Sequence, residues 1–235
     1  MAQVELPVRF FSRGLVASRL WLDTAKTAFM VVDSDVGLQA DPVIEDHLAP
    51  ALATARQTGI RVFYFHPDAD GVGGPHDITR ELHGARHHAG VPEFGLEKPP
   101  WRSWQPFYPA AIAPMADEPD FPKSRKDGFE TTNADYYLKS WGIDTLIAVG
   151  FALGSCLYHT CMGARHRNYR VVMLRDCTTP PGQGEFPDTR DDTNPEGGWM
   201  RFVLLRQFET RIGYTSTSGE FQQACRALAP ARAPG

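Results

Sequence analysis

Residues 27–33, 60–66, 144–150 and 170–175 form short, almost continuously apolar runs, and amphipathic stretches lie between them. This alternation constrains the fold more than any other feature of the chain. A strand with one wet face alternates apolar and polar side chains. A run such as Thr27-Ala28-Phe29-Met30-Val31-Val32 suits a strand covered on both faces, as in a parallel sheet. Asp41 and Pro42 open the first helical stretch as cap and first-turn proline. Val43, Ile44, Leu48, Ala51, Leu52 and Ala55 follow at helical spacing, Gly59 closes it, and Pro50 predicts a kink. Further helices are expected over 131–141, 155–168 and 199–210, with a strand beginning at Phe121, another over 212–215 and a last helix from Ser218. The expected fold class is α/β: three α/β/α layers around a doubly wound, mostly parallel sheet, in one domain over residues 1–235.

Two regions stand outside this pattern. Residues 1–25 form an N-terminal extension whose Phe10, Phe11, Leu20, Trp21 and Leu22 suit packing on the protein's own sheet or on a partner subunit; the sequence does not choose. Residues 67–122 hold most of the prolines together with Trp101, Trp104, Phe107 and Tyr108, and read as an ordered, lid-like insert containing a short helix over 78–85. The net charge of −4 argues against a protein held on nucleic acid or an anionic membrane by charge. No apolar run approaches the roughly 18 residues of a membrane span, and the charges at Glu5, Arg9, Arg13 and Arg19 do not have the layout of a secretion signal. A soluble, cytoplasmic enzyme is the expectation.

Ligands of an open parallel sheet gather beyond the carboxyl ends of its strands. Asp33, Lys123 and Cys156 fall at such ends, and Cys156 also begins a helix after the turn of residues 150–155. Backbone N–H groups at a helix start favour a thiolate, a nearby lysine lowers the thiol pKa further, and a carboxylate within reach can take the proton. The same N–H groups can hold an oxyanion. Cys161, Cys177 and Cys225 read as small core residues.

These segments resemble the isochorismatase-like cysteine hydrolases, in particular the branch acting on ureides. The resemblance is carried by residues 28–35 around Asp33, and by the succession Lys123, Arg125, Gly128, Phe129, the helix ending at Gly142-Ile143, and the Cys156 turn. Lys123 and Cys156 lie 33 residues apart, as that branch leads one to expect. Lys126 also aligns with the lysine, but the Arg125 and Phe129 anchors favour Lys123. The resemblance implies an isochorismatase-like fold and a covalent mechanism on a small carboxamide or ureide. Asp33 would be the base, Cys156 the nucleophile and Lys123 the balancing cation. Backbone N–H groups of Ala152 and Cys156 would form the oxyanion hole, with a cis peptide at Phe151–Ala152. It also implies a homo-oligomer, dimer or tetramer.

The departures fall on pocket positions. Asp35 stands where the family has Gln, and Leu153-Gly154-Ser155 replaces its polar turn, so Asp35, Leu153, Phe129, Trp101 and Trp104 are the substrate-binding candidates. Asp35 could recognise a cationic or amino-bearing group or serve as a turn residue. No cofactor is expected and no metal: residues 64–68 lack the Asp-x-His of nicotinamidases, and His83, His87 and His88 read as a solvated loop. His159, three residues past Cys156, reads as packed and hydrogen-bonded. Two other functions stay open on the same fold, vinyl-ether hydrolysis of the isochorismatase type, whose members tend to lack the cysteine, and non-catalytic binding.

Overall fold

In a computed structural model of the protein, residues 2–35, 42–67, 106–178 and 200–228 are described. Among them the strands are β1 (Gln3–Phe11), β2 (Leu15–Asp23), β3 (Thr27–Val32), β4 (Arg61–Pro67), β5 (Asp120–Lys123), β6 (Thr145–Gly150), β7 (Arg170–Leu174) and β8 (Tyr214–Ser216). The helices are α1 (Ala49–Gln57), α2 (Ala134–Ser140), α3 (Cys156–His166), α4 (Met200–Arg211) and α5 (Ser218–Arg226). The eight strands form one sheet in the order β2-β1-β8-β7-β6-β3-β4-β5. From β8 to β5 neighbouring strands are parallel; β1 is antiparallel to β8 and to β2.

The apolar runs explain this arrangement. Every residue of β3 and of β6 is buried. Along β3, Phe29 and Val31 enter one apolar cluster with α1 and α5, while Ala28 and Met30 enter a second with α2, α3 and α4. Period-two alternation thus sends successive side chains into two different helical layers. Burying a side chain the size of Phe29 contributes about 2–3 kcal/mol. The expected α/β/α sandwich is the observed one.

Helix α1 is preceded by a π-helical turn, Ile44–Leu48, in which Ala49 N–H reaches back to the Ile44 carbonyl. Pro50 follows at the start of the α-helical part. It supplies no N–H, so the change of helix geometry falls where the ladder is already interrupted, at the site of the expected kink. Asp41, the expected cap, lies outside the described residues.

Residues 1–25, expected as an extension packed on the protein's own sheet or on a partner subunit, instead add two strands to the sheet: β1 and β2 make a nine-pair hairpin from Gln3↔Asp23 to Phe11↔Leu15. Val4, Leu6 and Val8 alternate inward while Glu5 and Pro7 do not. The reversal passes through Arg13 at φ 58, a left-handed conformation that glycine or asparagine usually marks. The hairpin joins the parallel sheet at Arg9↔Thr215. Glu209, wholly buried, ties that junction: its carboxylate accepts from Arg9 and from Thr215, both at 2.6 Å, and pairs with Arg206.

Candidate active site

Three chain segments that are distant in sequence end at one edge of the sheet. Asp33 follows β3, Lys123 ends β5, and Cys156 begins α3. Asp33 N–H donates to the Phe65 carbonyl (2.9 Å) and Phe151 N–H donates to the Val32 carbonyl (2.8 Å), so the ends of β3, β4 and β6 are laced together. Gly150 makes this possible. It holds φ +112, and a Cβ there would come within 2.0 Å of the Val32 carbonyl oxygen. Asp33 itself sits at φ 46, which turns its side chain away from the strand's alternation.

The Lys123 ammonium lies 2.9 Å from Asp33 Oδ2 and donates to Cys156 Sγ at 3.3 Å. Its side chain is 0% exposed, and that of Asp33 is 11%. A lysine is buried so completely only when paired. The loop from Lys123 to Phe129 is strapped to α3: Gly128 N–H donates to Thr160 Oγ1 (3.1 Å) and Thr160 Oγ1 donates to the Lys126 carbonyl (3.1 Å). A Cβ on Gly128 would meet the Phe65 ring at 2.7 Å, which accounts for the glycine in this segment.

Proton affinities follow from burial and charge together. Burial raises the Asp33 pKa above its ordinary 3.8, and Lys123 and the thiol offset part of that rise. Burial works against the Lys123 charge, but Asp33 and Cys156 outweigh it and raise its pKa. The Cys156 thiol is pushed up to about 11, by burial first and by the Asp33 charge second, against the opposing pull of Lys123. Desolvation and the adjacent carboxylate thus oppose the lowering of the thiol pKa expected from a helix start and a nearby lysine.

The peptide bond Phe151–Ala152 is cis, at the position the resemblance indicated. Ser155 N–H donates to the Ala152 carbonyl (2.9 Å), closing the turn that delivers Cys156 to the first helical position. The N–H groups of that position point beyond the helix end.

The remaining candidates fall differently. Asp35 is 3% exposed, two residues past Asp33. Phe129 and Leu153 are buried in the second apolar cluster; the Phe129 ring lies 5.2 Å from Phe65 and stacks at 6.0 Å on Tyr169. Trp101, Trp104, His83, His87 and His88 lie outside the described residues. Lys123, not Lys126, faces the thiol. His159 is hydrogen-bonded to the Ser155 carbonyl (2.8 Å) but exposed on α3, not packed. Cys161, Cys177 and Cys225 are free and buried; Cys156 is half-buried. Among the described residues no helix is long and apolar enough to cross a membrane.

Sequence reasoning passed over His66 and Asp120. Their side chains meet at 2.7 Å at the same sheet edge. The signal was there to find, a histidine at the carboxyl end of a buried strand and an acid directly before Phe121-Pro122-Lys123, but only the β4–β5 pairing brings them together.

Residues 34–185 match the isochorismatase domain model. The chain is 30% identical over 188 residues to a ureidoacrylate amidohydrolase, RutB, of Methylorubrum extorquens, covering 78% of this chain and 70% of that one. A cysteine hydrolase from Pseudomonas syringae pv. phaseolicola superposes with a TM-score of 0.65 at 21% identity, over 88% of this chain and 95% of the other. N-carbamoylsarcosine amidase from Thermoplasma acidophilum does so with a TM-score of 0.53 at 22% identity, over 82% and 96%. At such identities the superpositions speak for the fold. The chain belongs to the isochorismatase family and is a hydrolase of that fold.

Proposed function

We propose that this protein is a cysteine-dependent amidohydrolase that cleaves the C–N bond of a small carboxamide or ureide through an acyl-enzyme on Cys156. The single observation that carries the reading is the Lys123 ammonium held between Asp33 Oδ2 and Cys156 Sγ, at 2.9 and 3.3 Å, in a buried setting. The similarity to a ureidoacrylate amidohydrolase supports the substrate class.

As Cys156 Sγ attacks the carbonyl carbon, Asp33 takes the thiol proton, so charge moves from carboxylate to oxyanion while Lys123 remains beside it. The N–H groups of Ala152 and Cys156 receive the oxyanion. The tetrahedral intermediate collapses with loss of the C–N bond, and Asp33 returns its proton to the departing nitrogen. Water then attacks the thioester and gives a proton to Asp33. The C–S bond breaks, and that proton returns to the thiolate, restoring the resting trio. A neutral thiol at rest fits this cycle, because proton and sulfur move in one step.

Asp35, Phe129, Leu153, Trp101 and Trp104 are the proposed pocket residues, with Phe129 and Leu153 acting from beneath through packing. The working form is a homo-oligomer acting on a small molecule in the cytoplasm. In a panel of small amides and ureides, turnover should release ammonia or an amine and vanish in Cys156→Ala. Retained turnover in that variant, or release of pyruvate from a vinyl-ether substrate in its place, would overturn the reading.

A further inference from the structure

Helix α3 carries more than the nucleophile on the face that meets the Lys123 loop. Cys156, Thr160, Gly163 and, at the C-cap, Arg167 recur every three or four residues and so lie along one stripe. Residues 126–129 rest on that stripe. The Thr160 hydroxyl, fully buried, donates to the Lys126 carbonyl and accepts from Gly128 N–H, both at 3.1 Å. Arg167 Nη2 donates to the Phe129 carbonyl at 3.1 Å, and its guanidinium lies 5.4 Å from the centre of the Phe129 ring. Asp127 fills the middle: its Oδ1 accepts from Phe129 N–H at 2.8 Å, and its Oδ2 lies 3.7 Å from Arg167 Nη1. A Cβ on Gly163 would overlap that carboxylate. Glycine weakens a helix interior relative to alanine, and here its bare Cα is what admits the loop so closely.

The strand order leaves the Lys123–Cys156 contact with a gap to cross. Cys156 follows β6 and Lys123 ends β5, with β3 and β4 between them. Three strand spacings make about 14 Å, well beyond the reach of one lysine side chain. The ladder to β4 ends at Pro67↔Lys123, so from there the course of the chain is set by what it meets next, which is the α3 stripe. The loop is stiffened from within: Ser124 N–H donates to Thr131 Oγ1 (3.0 Å), and Thr132 Oγ1 donates to the Gly128 carbonyl (2.7 Å). A displacement at Thr160 or Gly163 is therefore passed back to Lys123, whose ammonium stands 3.3 Å from the sulfur.

We propose that Thr160, Gly163 and Arg167 are positioning residues, a clasp through which the nucleophile's own helix sets the separation between the Lys123 ammonium and Cys156 Sγ. Nucleophile and cation stay in register because the sulfur and the loop that follows the lysine are held by one helix face. The inference rests on Cys156 being the nucleophile and Lys123 its cation.

The test is the rate of Cys156 alkylation by iodoacetamide in the full chain, read by peptide mass spectrometry between about pH 6 and 10, which needs no knowledge of the substrate. An ammonium beside the sulfur favours the thiolate, so drawing it away moves the labelling profile to higher pH. Thr160→Val keeps the shape and removes both hydrogen bonds, and Gly163→Ala pushes on Asp127. Each should move the profile up by about half a unit to one unit, slowing labelling at a fixed pH by about three- to tenfold. Thr160→Ser, which keeps the hydroxyl, should give back the wild-type profile, and Arg167→Met should shift it less than the other two. In Asp33→Asn/Lys123→Met, where there is no ammonium to move, adding Gly163→Ala should shift nothing. Urea melts of the same variants separate stability from position; should Thr160→Val fail to fold, Gly163→Ala and Arg167→Met carry the test. A profile that stays in place in the folded variants while their stability falls overturns the proposal, and so does an equal shift with and without Lys123. Absence of preferential Cys156 labelling in the wild-type protein is a different failure: it removes the nucleophile assignment itself and the clasp with it.

Discussion

Among its individual residues, the site is a problem of two opposite charges and a thiol in little water. The reactive state needs Asp33 ionised and Cys156 still carrying its proton. Activity should therefore fall on the acid side at a pH above the ordinary carboxylate 3.8, because Asp33 is raised, and on the alkaline side toward about 11, where the thiol ionises. A pH–rate profile checks this; an alkaline limb near neutrality would show a thiolate mechanism in its place. Lys123 carries structural weight as well. Lys123→Met leaves Asp33 buried without its cation, and should abolish turnover and cost about 3 kcal/mol at neutral pH by urea melting. Replacing both charges, Asp33→Asn with Lys123→Met, should recover much of that stability and none of the activity.

For the strands and helices, the chemistry depends on where strands stop. Gly150 permits the close approach of β6 to β3, so Gly150→Ala drives a Cβ into the Val32 carbonyl and displaces the residue before Asp33. Urea melts should show a loss above about 2 kcal/mol, and turnover of the folded fraction should drop at least about tenfold. The N-terminal hairpin is held by the Glu209 junction with Arg9, Thr215 and Arg206. Glu209→Ala should destabilise the fold by about 2–4 kcal/mol and speed amide exchange in β1 ahead of β3 and β6. Equal acceleration across all strands would show that the hairpin is held elsewhere.

Across the molecule as a whole, what was legible in the sequence was whatever hydrophobic pattern alone decides. The continuous apolar runs of β3, β4, β6 and β7 announced a buried parallel sheet, and the ends of those runs marked Asp33 and Cys156. The β1–β2 hairpin was hidden because an arginine, Arg13, takes the left-handed turn position and Pro7 interrupts the strand signal. The upward push on the thiol's pKa was not legible, because helix-start and lysine effects can be read from order in the chain, while desolvation depends on what closes over the sulfur in space. The His66–Asp120 contact was invisible for a related reason: 54 residues separate the two, and only the register Tyr64↔Asp120 joins them. The proposed chemistry turns on a covalent bond forming at one sulfur. Acid-quenching the enzyme during turnover of an amide or ureide substrate and measuring intact and peptide mass tests this most directly. The expected result is an acyl adduct on the Cys156 peptide, absent in Cys156→Ala, which is itself inactive; turnover by Cys156→Ala at the wild-type rate, with no adduct on either protein, would contradict it.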